Sequence, residues 1–293
     1  MYILDTSAIR GISGNDLRVA ATRFEIAVPK LSVLELASHL SDSQNDDEYR
    51  RARGNLLKCQ IAQQILDDPF CLLSQRIQLP VNPTRREDRD ILRQLISAAE
   101  ESPTLAELNA KTLFYADSAT ASCREIGRNI ESILREEENS FVSHVSSLPA
   151  LANLEPDPSQ NGTHRLDAAT FLGQLTSATQ ALSASADQLQ TMLGTASYFG
   201  YLMQRMYYYA NNIQPGQTRL PVDGNDCEDA YFSLCLDLNG EDVLVTNDRG
   251  TLNALRCTFE LLNEALSLSI DSSRVIDITE FLNVIAPRAM PTL

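Results

Sequence analysis

The chain has 293 residues, and its 39 acids against 24 Lys plus Arg give a formal net charge of -15. A surface of that charge, if unpatterned, repels nucleic acid and anionic membranes. At 43% hydrophobic residues there is material for a sizeable core, and 12 Gly and 12 Pro favour a helix-rich globular fold. No apolar stretch reaches the roughly 18 residues of a membrane span, and Met1 leads directly into a strand-like run, so a cytoplasmic protein without a signal peptide is expected.

Taken in order, Tyr2 to Leu4 reads as a short buried strand that Asp5-Thr6-Ser7 leaves, with Gly11 to Gly14 loosening the loop beyond. Asn15 or Asp16 caps a helix to about Arg23, and Ile26-Ala27-Val28 forms a second strand ended by Pro29. The next helix opens at Ser32 to Glu35, with Leu34, Ala37 and Ser38 on its buried side. Glu35 has two readings: the N3 partner of Ser32 in a capping box, or a site carboxylate near the Asp5 end of the sheet. The acids far downstream favour the site.

Between Ser41 and Asn212 strand patterns give way to helical ones. A helix is expected from Glu48 to Leu66, stopped by Asp67-Asp68-Pro69, while Phe70 to Leu79 fits a short helix or a strand. Thr84-Arg85-Arg86-Glu87 is a capping box for a helix to about Glu100, and further helices are expected over 104–117, 119–139, 163–192 and 196–212. Arg50, Arg51, Arg53, Lys58, Arg85, Arg86, Arg89 and Arg93 stand out in so acidic a chain. They either line a nucleic-acid phosphate groove or pair with Glu87, Asp90 and their neighbours on a solvated face. Tyr198, Phe199, Tyr201, Tyr207, Tyr208 and Tyr209, with Arg205 among them, either pack this region onto the sheet or stack bases.

After Pro215-Gly216 the α/β pattern resumes. It gives a helix over Asn225–Leu238, a strand over 242–245, one or two helices over Leu252–Leu268, a last strand at Arg274-Val275-Ile276 and a closing helix from Thr279. Residues 1–45 and 215–293 are therefore expected to form one discontinuous α/β domain with a mostly parallel sheet flanked by helices, interrupted by a large all-helical insertion over 46–214.

Asp5 and Asp248 fall just past the ends of strands, where open α/β sheets place their chemistry. Asp226 and Asp229, three apart, share a helix face. With Glu35, these five acids form a set of hard oxygen donors suited to Mg²⁺ or Mn²⁺ rather than zinc. Thr6, Ser7, Thr246 and Asn247 are candidate supporting hydrogen-bond groups. No GxGxxG, GxxxxGK[ST], Asp-x-Asp or Ser-His-Asp arrangement accompanies them. The six cysteines form no CxxC pair and no zinc spacing, and read as core and helix-face thiols in a reducing compartment. Metal-assisted hydrolysis of a phosphodiester is the chemistry left standing.

At these residues the chain resembles the PIN domain family of metal-dependent nucleases, which includes toxins of bacterial toxin–antitoxin pairs. The matching pieces are Ile3-Leu4-Asp5-Thr6-Ser7, Ser32-Val33-Leu34-Glu35-Leu36, Asp226-Cys227-Glu228-Asp229-Ala230 and Val245-Thr246-Asn247-Asp248-Arg249, with Val275 to Thr279 similar to the last strand of such domains. The resemblance implies a PIN-like sheet, a ribonuclease using Mg²⁺ or Mn²⁺, and Asp5, Glu35, Asp229 and Asp248 as its acids, with Asp226 as a further candidate. Small toxins of the family have only a short segment between the second and third acids, so the long insertion departs from them. RNA is the expected substrate, with DNA, a protein partner or antitoxin, and self-association left open. Two alternatives stay beside this reading: a catalytically weak or inactive PIN-like binding scaffold, and another metal-dependent phosphoesterase.

Overall fold

A computed structural model describes residues 1–77, 88–114, 120–146, 166–180, 188–212 and 222–286. At its centre is a five-stranded sheet in the order β3-β2-β1-β6-β7, parallel at every pairing. The strands are β1 (Tyr2–Leu4), β2 (Ile26–Pro29), β3 (Gln64–Leu66), β6 (Val243–Val245) and β7 (Val275–Ile276). They are short apolar runs because both faces are covered, and parallel strands with two buried faces lose the polar alternation of a half-exposed sheet.

Neighbouring residues on each strand feed different cores. Ile3, Leu244 and Val275 enter one hydrophobic cluster, and Leu4, Val245 and Ile276 enter the other. The pairings Ile3↔Leu244 and Leu4↔Val245 keep those rows in register across the sheet. The first core packs beneath α1 (Thr6–Gly11), α2 (Gly14–Ala21), α3 (Lys30–Asp42), α4 (Asp46–Lys58), α6 (Asp88–Glu101) and much of α8 (Cys123–Ser146). The short helices α5 (Pro69–Arg76) and α7 (Leu105–Ala110) lie between them in sequence. The second core packs beneath α9 (Ala168–Gln180), α10 (Gln188–Asn211) and α12 (Arg249–Leu266), together with α11 (Asp226–Ser233). The closing helix α13 (Ile278–Ile285) returns to the first face.

The central helices thus supply most of one covering layer. Helices α10 and α12 approach closely at Gly200, where a Cβ would lie 2.2 Å from Thr258 Cγ2. Only glycine lets the two backbones come that near.

Several local expectations are corrected. The helix expected over Glu48–Leu66 ends at Lys58, and Gln64–Leu66 becomes β3, paired with β2 through Ala27↔Gln64, Val28↔Ile65 and Pro29↔Leu66. A three-residue strand has no periodicity of its own to read; an open sheet edge makes it a strand. The helix expected over 104–117 stops at Ala110 because Thr112–Phe114 (β4) pairs antiparallel with Thr120–Ser122 (β5). Asp5 does not lead into a loop but caps α1, as Asp248 caps α12. The Ser32–Glu35 capping box is absent: α3 begins at Lys30 with Pro29 at its N-cap, and the buried Ser32 Oγ has no hydrogen-bond partner. Glu35 is therefore released from a capping role. The Thr84–Glu87 box lies outside the described residues, as do Arg85 and Arg86.

No helix among the described residues is long and apolar enough to cross a membrane. All six cysteines are free thiols, with Cys257 alone exposed.

Candidate acidic site at the strand ends

The strand order turns at β1. From there the chain builds outward through β2 and β3 on one side, and later through β6 and β7 on the other. Where connections depart to opposite sides, the carboxyl ends of two adjacent parallel strands leave a crevice, the usual ligand position in an open α/β sheet. Here the two strands are β1 and β6, and they deliver Asp5 and Thr246 side by side. The Asp5 amide donates to the Val245 carbonyl at 3.2 Å.

Short polar contacts fix this crevice. Asp5 Oδ1 accepts from the Ala8 amide at 2.7 Å and from Ser7 Oγ at 2.8 Å. Ser7 Oγ in turn accepts from the Asn247 amide at 2.7 Å and lies 3.4 Å from Thr246 Oγ1. Thr246 Oγ1 accepts from the Asp248 amide at 3.0 Å, and Asp248 Oδ1 accepts from the Thr251 amide at 2.7 Å. One hydroxyl, Ser7, therefore bridges the two strand ends. Of the two early hydroxyls it is the one beside the acids, since Thr6 Oγ1 is buried without a partner.

Two further elements bring acids to the crevice. Helix α3 carries Glu35, and α11 carries Glu228 and Asp229. Burial pushes the Asp229 carboxyl up to about 7, with the charges of Asp248, Asp5 and Asp226 adding to the shift. Thr251 counters part of this without its hydroxyl reaching hydrogen-bond geometry. Burial also raises Asp5 to about 6 against its hydrogen bonds to Thr246, Ala8 and Ser7, with the Glu35 charge as a smaller contribution. Glu228 is raised first by burial and then by Glu35, whose carboxylate it also meets in a hydrogen bond. A second carboxylate that close disfavours the charged form of Glu228. Glu228, outside the five acids chosen from sequence, thus belongs to the cluster.

Asp226 faces the other way. Its Oδ1 accepts from Arg205 Nε at 2.9 Å and from the Tyr201 hydroxyl at 3.1 Å, while Tyr209 donates to its Oδ2. Tyr201, Arg205 and Tyr209 follow one another at four-residue spacing on α10, so they share one face of that helix. The Tyr201 oxygen is also 3.3 Å from Asp229 Oδ2, so one hydroxyl proton lies between two carboxylates. Asp226 is an internally satisfied ion pair that ties α10 to α11. The regular Tyr-x-x-x-Arg-x-x-x-Tyr spacing is a signal that sequence reading can find.

Glu35 is engaged as well. Arg10 Nη2 donates to its Oε1 at 3.0 Å and also contacts His39. The cations proposed as a phosphate groove divide. Arg53 donates to the carbonyls of Ala99 and Glu100, and Lys58 to those of Ile9 and Arg10, so both close the ends of neighbouring helices. Arg50 pairs with Asp47 across one helical turn. Arg51 faces an open cavity of about 390 Å³ with Arg10, His39 and Asn55. Arg89 and Arg93 lie on α6.

The donor chemistry suits a hard divalent cation: oxygen donors ranging from buried Asp5 to exposed Asp248, whose charges repel one another, are relieved by a counter-ion. Among the described residues, no three Asp, Glu, His or Cys side chains converge on a common metal position. No protein-family model, curated protein or solved structure is detectably similar to this chain.

Proposed function

We propose that this chain is a PIN-like metal-dependent nuclease acting on RNA, with Asp5, Asp229 and Asp248 at its centre and Glu35 and Glu228 beside them. The observation that carries the reading is electrostatic. Asp229 is half-buried within reach of the Asp5 and Asp248 charges at the carboxyl ends of two adjacent parallel strands. Unneutralised acids packed this way cost stability, and folds retain such clusters mainly where function uses them.

Mg²⁺ or Mn²⁺ held by these acids would lower the pKa of a bound water and stabilise charge on a phosphodiester. The chain's own groups set the stage. Burial raises Asp5 to about 6 and Asp229 to about 7, so a cation held there would favour their ionised forms. Ser7 and the Asn247 amide hold the two strand ends at fixed spacing, and the Tyr201 hydroxyl orients Asp229 from behind. Asp226 is assigned to positioning because Arg205, Tyr201 and Tyr209 already engage both of its oxygens.

A second reading, a PIN-like binding module, draws on Arg10. Its guanidinium already neutralises Glu35, which reduces the need for a metal there. One experiment separates the two: purified protein is offered a panel of single-stranded and structured RNA and DNA with Mg²⁺, Mn²⁺ or EDTA, beside folded Asp5→Asn and Asp229→Asn variants. The nuclease reading expects cuts that need the cation and vanish in both variants. Equal inertness of wild type and variants transfers the assignment to the binding module.

A further inference from the structure

Beside Asp248 the surface opens into a cavity of about 310 Å³ between α10 and α12, lined by Gln204, Arg205, Tyr208, Arg249, Gly250 and Asn253. That size falls at the low end of small-molecule sites, roughly 300–1,000 Å³. Its lining is polar and cationic on a protein of net charge -15: the guanidiniums of Arg249 and of the Asp226-paired Arg205, two side-chain amides and an aromatic ring.

Three details give the cavity a direction. Arg249 is exposed and pairs with no carboxylate among the described residues. Arg205 is anchored through Nε to Asp226, and its Nη1 lies next to Gly250. A Cβ at Gly250 would stand 3.0 Å from Asp248 Oδ1 and 3.3 Å from that Nη1, so glycine lets the Asp248 carboxylate and the Arg205 guanidinium sit close on either side of it. Tyr208 is 52% exposed, although the Arg205 guanidinium already stacks 4.7 Å from its ring centre. An exposed ring backed by a cation is a stacking platform for a planar group.

We propose that this cavity is a nucleotide subsite for single-stranded nucleic acid, with Arg249 facing a phosphate flanking the scissile one and the next base stacked on Tyr208, whose ring Arg205 backs. The assignment rests on the nuclease reading of the neighbouring acids. Charge complementarity selects the occupant, since an anion is attracted here and repelled by most of the remaining surface. Stacking on one ring requires an unpaired base, which excludes a duplex. The path is short. Past Tyr208 the adjoining cavity of about 300 Å³ is edged by Glu260 and Glu264, whose carboxylates turn a phosphate chain away.

The test measures binding and cleavage separately. Fluorescein-labelled decauridylate RNA, and a duplex of the same length, are titrated by anisotropy into the full chain carrying Asp5→Asn, with Mg²⁺ present. Arg249→Ala, Tyr208→Ala and Tyr208→Phe are then added to that background, with circular dichroism to confirm folding. Single-stranded RNA should bind at least about tenfold more tightly than the duplex. Arg249→Ala and Tyr208→Ala should each weaken it about tenfold, Tyr208→Phe should bind as the parent does, and Arg249→Ala should lower the salt dependence by about one phosphate contact. Duplex bound as well as single strand, no RNA binding, or unchanged affinity in both alanine variants overturns the subsite. Cleavage by the same variants without Asp5→Asn then tells the two assignments apart. RNA bound through Tyr208 and Arg249 but never cut leaves the subsite standing and removes the nuclease. RNA cut at unaltered KM in both variants does the reverse.

Discussion

Asp226 and Asp229 stand one turn apart on α11, and the fold treats their carboxylates in opposite ways. On the Asp226 side, α10 supplies Arg205, Tyr201 and Tyr209, and both carboxylate oxygens find donors. On the Asp229 side, the neighbours are Asp5 and Asp248, and the carboxyl is driven up to about 7. The first arrangement is what a stability device requires, a charge buried with its partner. The second leaves charge unbalanced at a crevice between strand ends, as a site awaiting a cation does. Burial of an acid therefore says little by itself. What decides its role is whether the surrounding helices bring it donors or more acids.

Removing Asp226 should have the largest effect on this contrast. Asp226→Ala strands Arg205 and two tyrosine hydroxyls in a largely buried place, and should cost about 3–5 kcal/mol of stability in thermal or denaturant unfolding. A variant that melts with the wild type would mean the α10–α11 network holds nothing together. The mirror change, Asp229→Asn, should leave the melting temperature equal or higher, because it deletes an uncompensated charge. Cation-dependent cleavage should nevertheless fall at least about 100-fold, about 2.7 kcal/mol in barrier. Equal losses of fold in both variants would erase the distinction.

Proton linkage sharpens the comparison next. Asp5 and Asp229 have native values raised above the ordinary 3.8 to about 6 and about 7, so the folded chain binds more protons than the unfolded chain between about pH 4 and 7. Their contribution to stability is fully present below the unfolded value and declines as pH climbs through that window. Without divalent cation, the melting temperature of wild type relative to Asp229→Asn should drop from pH 4 to pH 7, and Mg²⁺ should restore more of it at pH 8 than at pH 5. A flat difference would show that Asp229 is not under charge stress. The smallest effect is expected at Gly250→Ala, whose Cβ presses on both Asp248 Oδ1 and Arg205 Nη1. Cleavage should drop about tenfold, with a stability change within about 1 kcal/mol. No change in cleavage would mean the close approach of Asp248 and Arg205 at Gly250 does not matter.

Much of the architecture was legible before any coordinates. Tyr2–Leu4, Ile26–Val28, Val243–Val245 and Val275-Ile276 declare themselves as short apolar runs bounded by polar or Pro residues, and all are strands of the parallel sheet. Asp5 and Asp248 were placed at strand ends because the acid follows the run directly. The central stretch was read as helical, and most of its described residues are. The reading failed where local signals compete. Ser32 and Glu35 have capping-box spacing, yet the N-cap falls three residues earlier, on Pro29. Arg53 and Lys58 resemble a basic stripe, yet carbonyls at the ends of α6 and α1 claim them.

By itself the sequence determined which segments could be buried strands, that the middle of the chain would be helical, and that acids would follow the strands at Asp5 and Asp248. Those properties are local, set by the chemistry of a few consecutive residues. Tertiary structure alone decided that Gln64–Leu66 completes the sheet, that Glu228 joins the acids, that Asp226 leaves them for Arg205, and that Arg249 and Tyr208 meet across one cavity. Each of those outcomes depends on a partner far away in the chain. Electrostatic and hydrogen-bond energies are set by distance in space, and no spacing along a sequence specifies which distant donor will arrive.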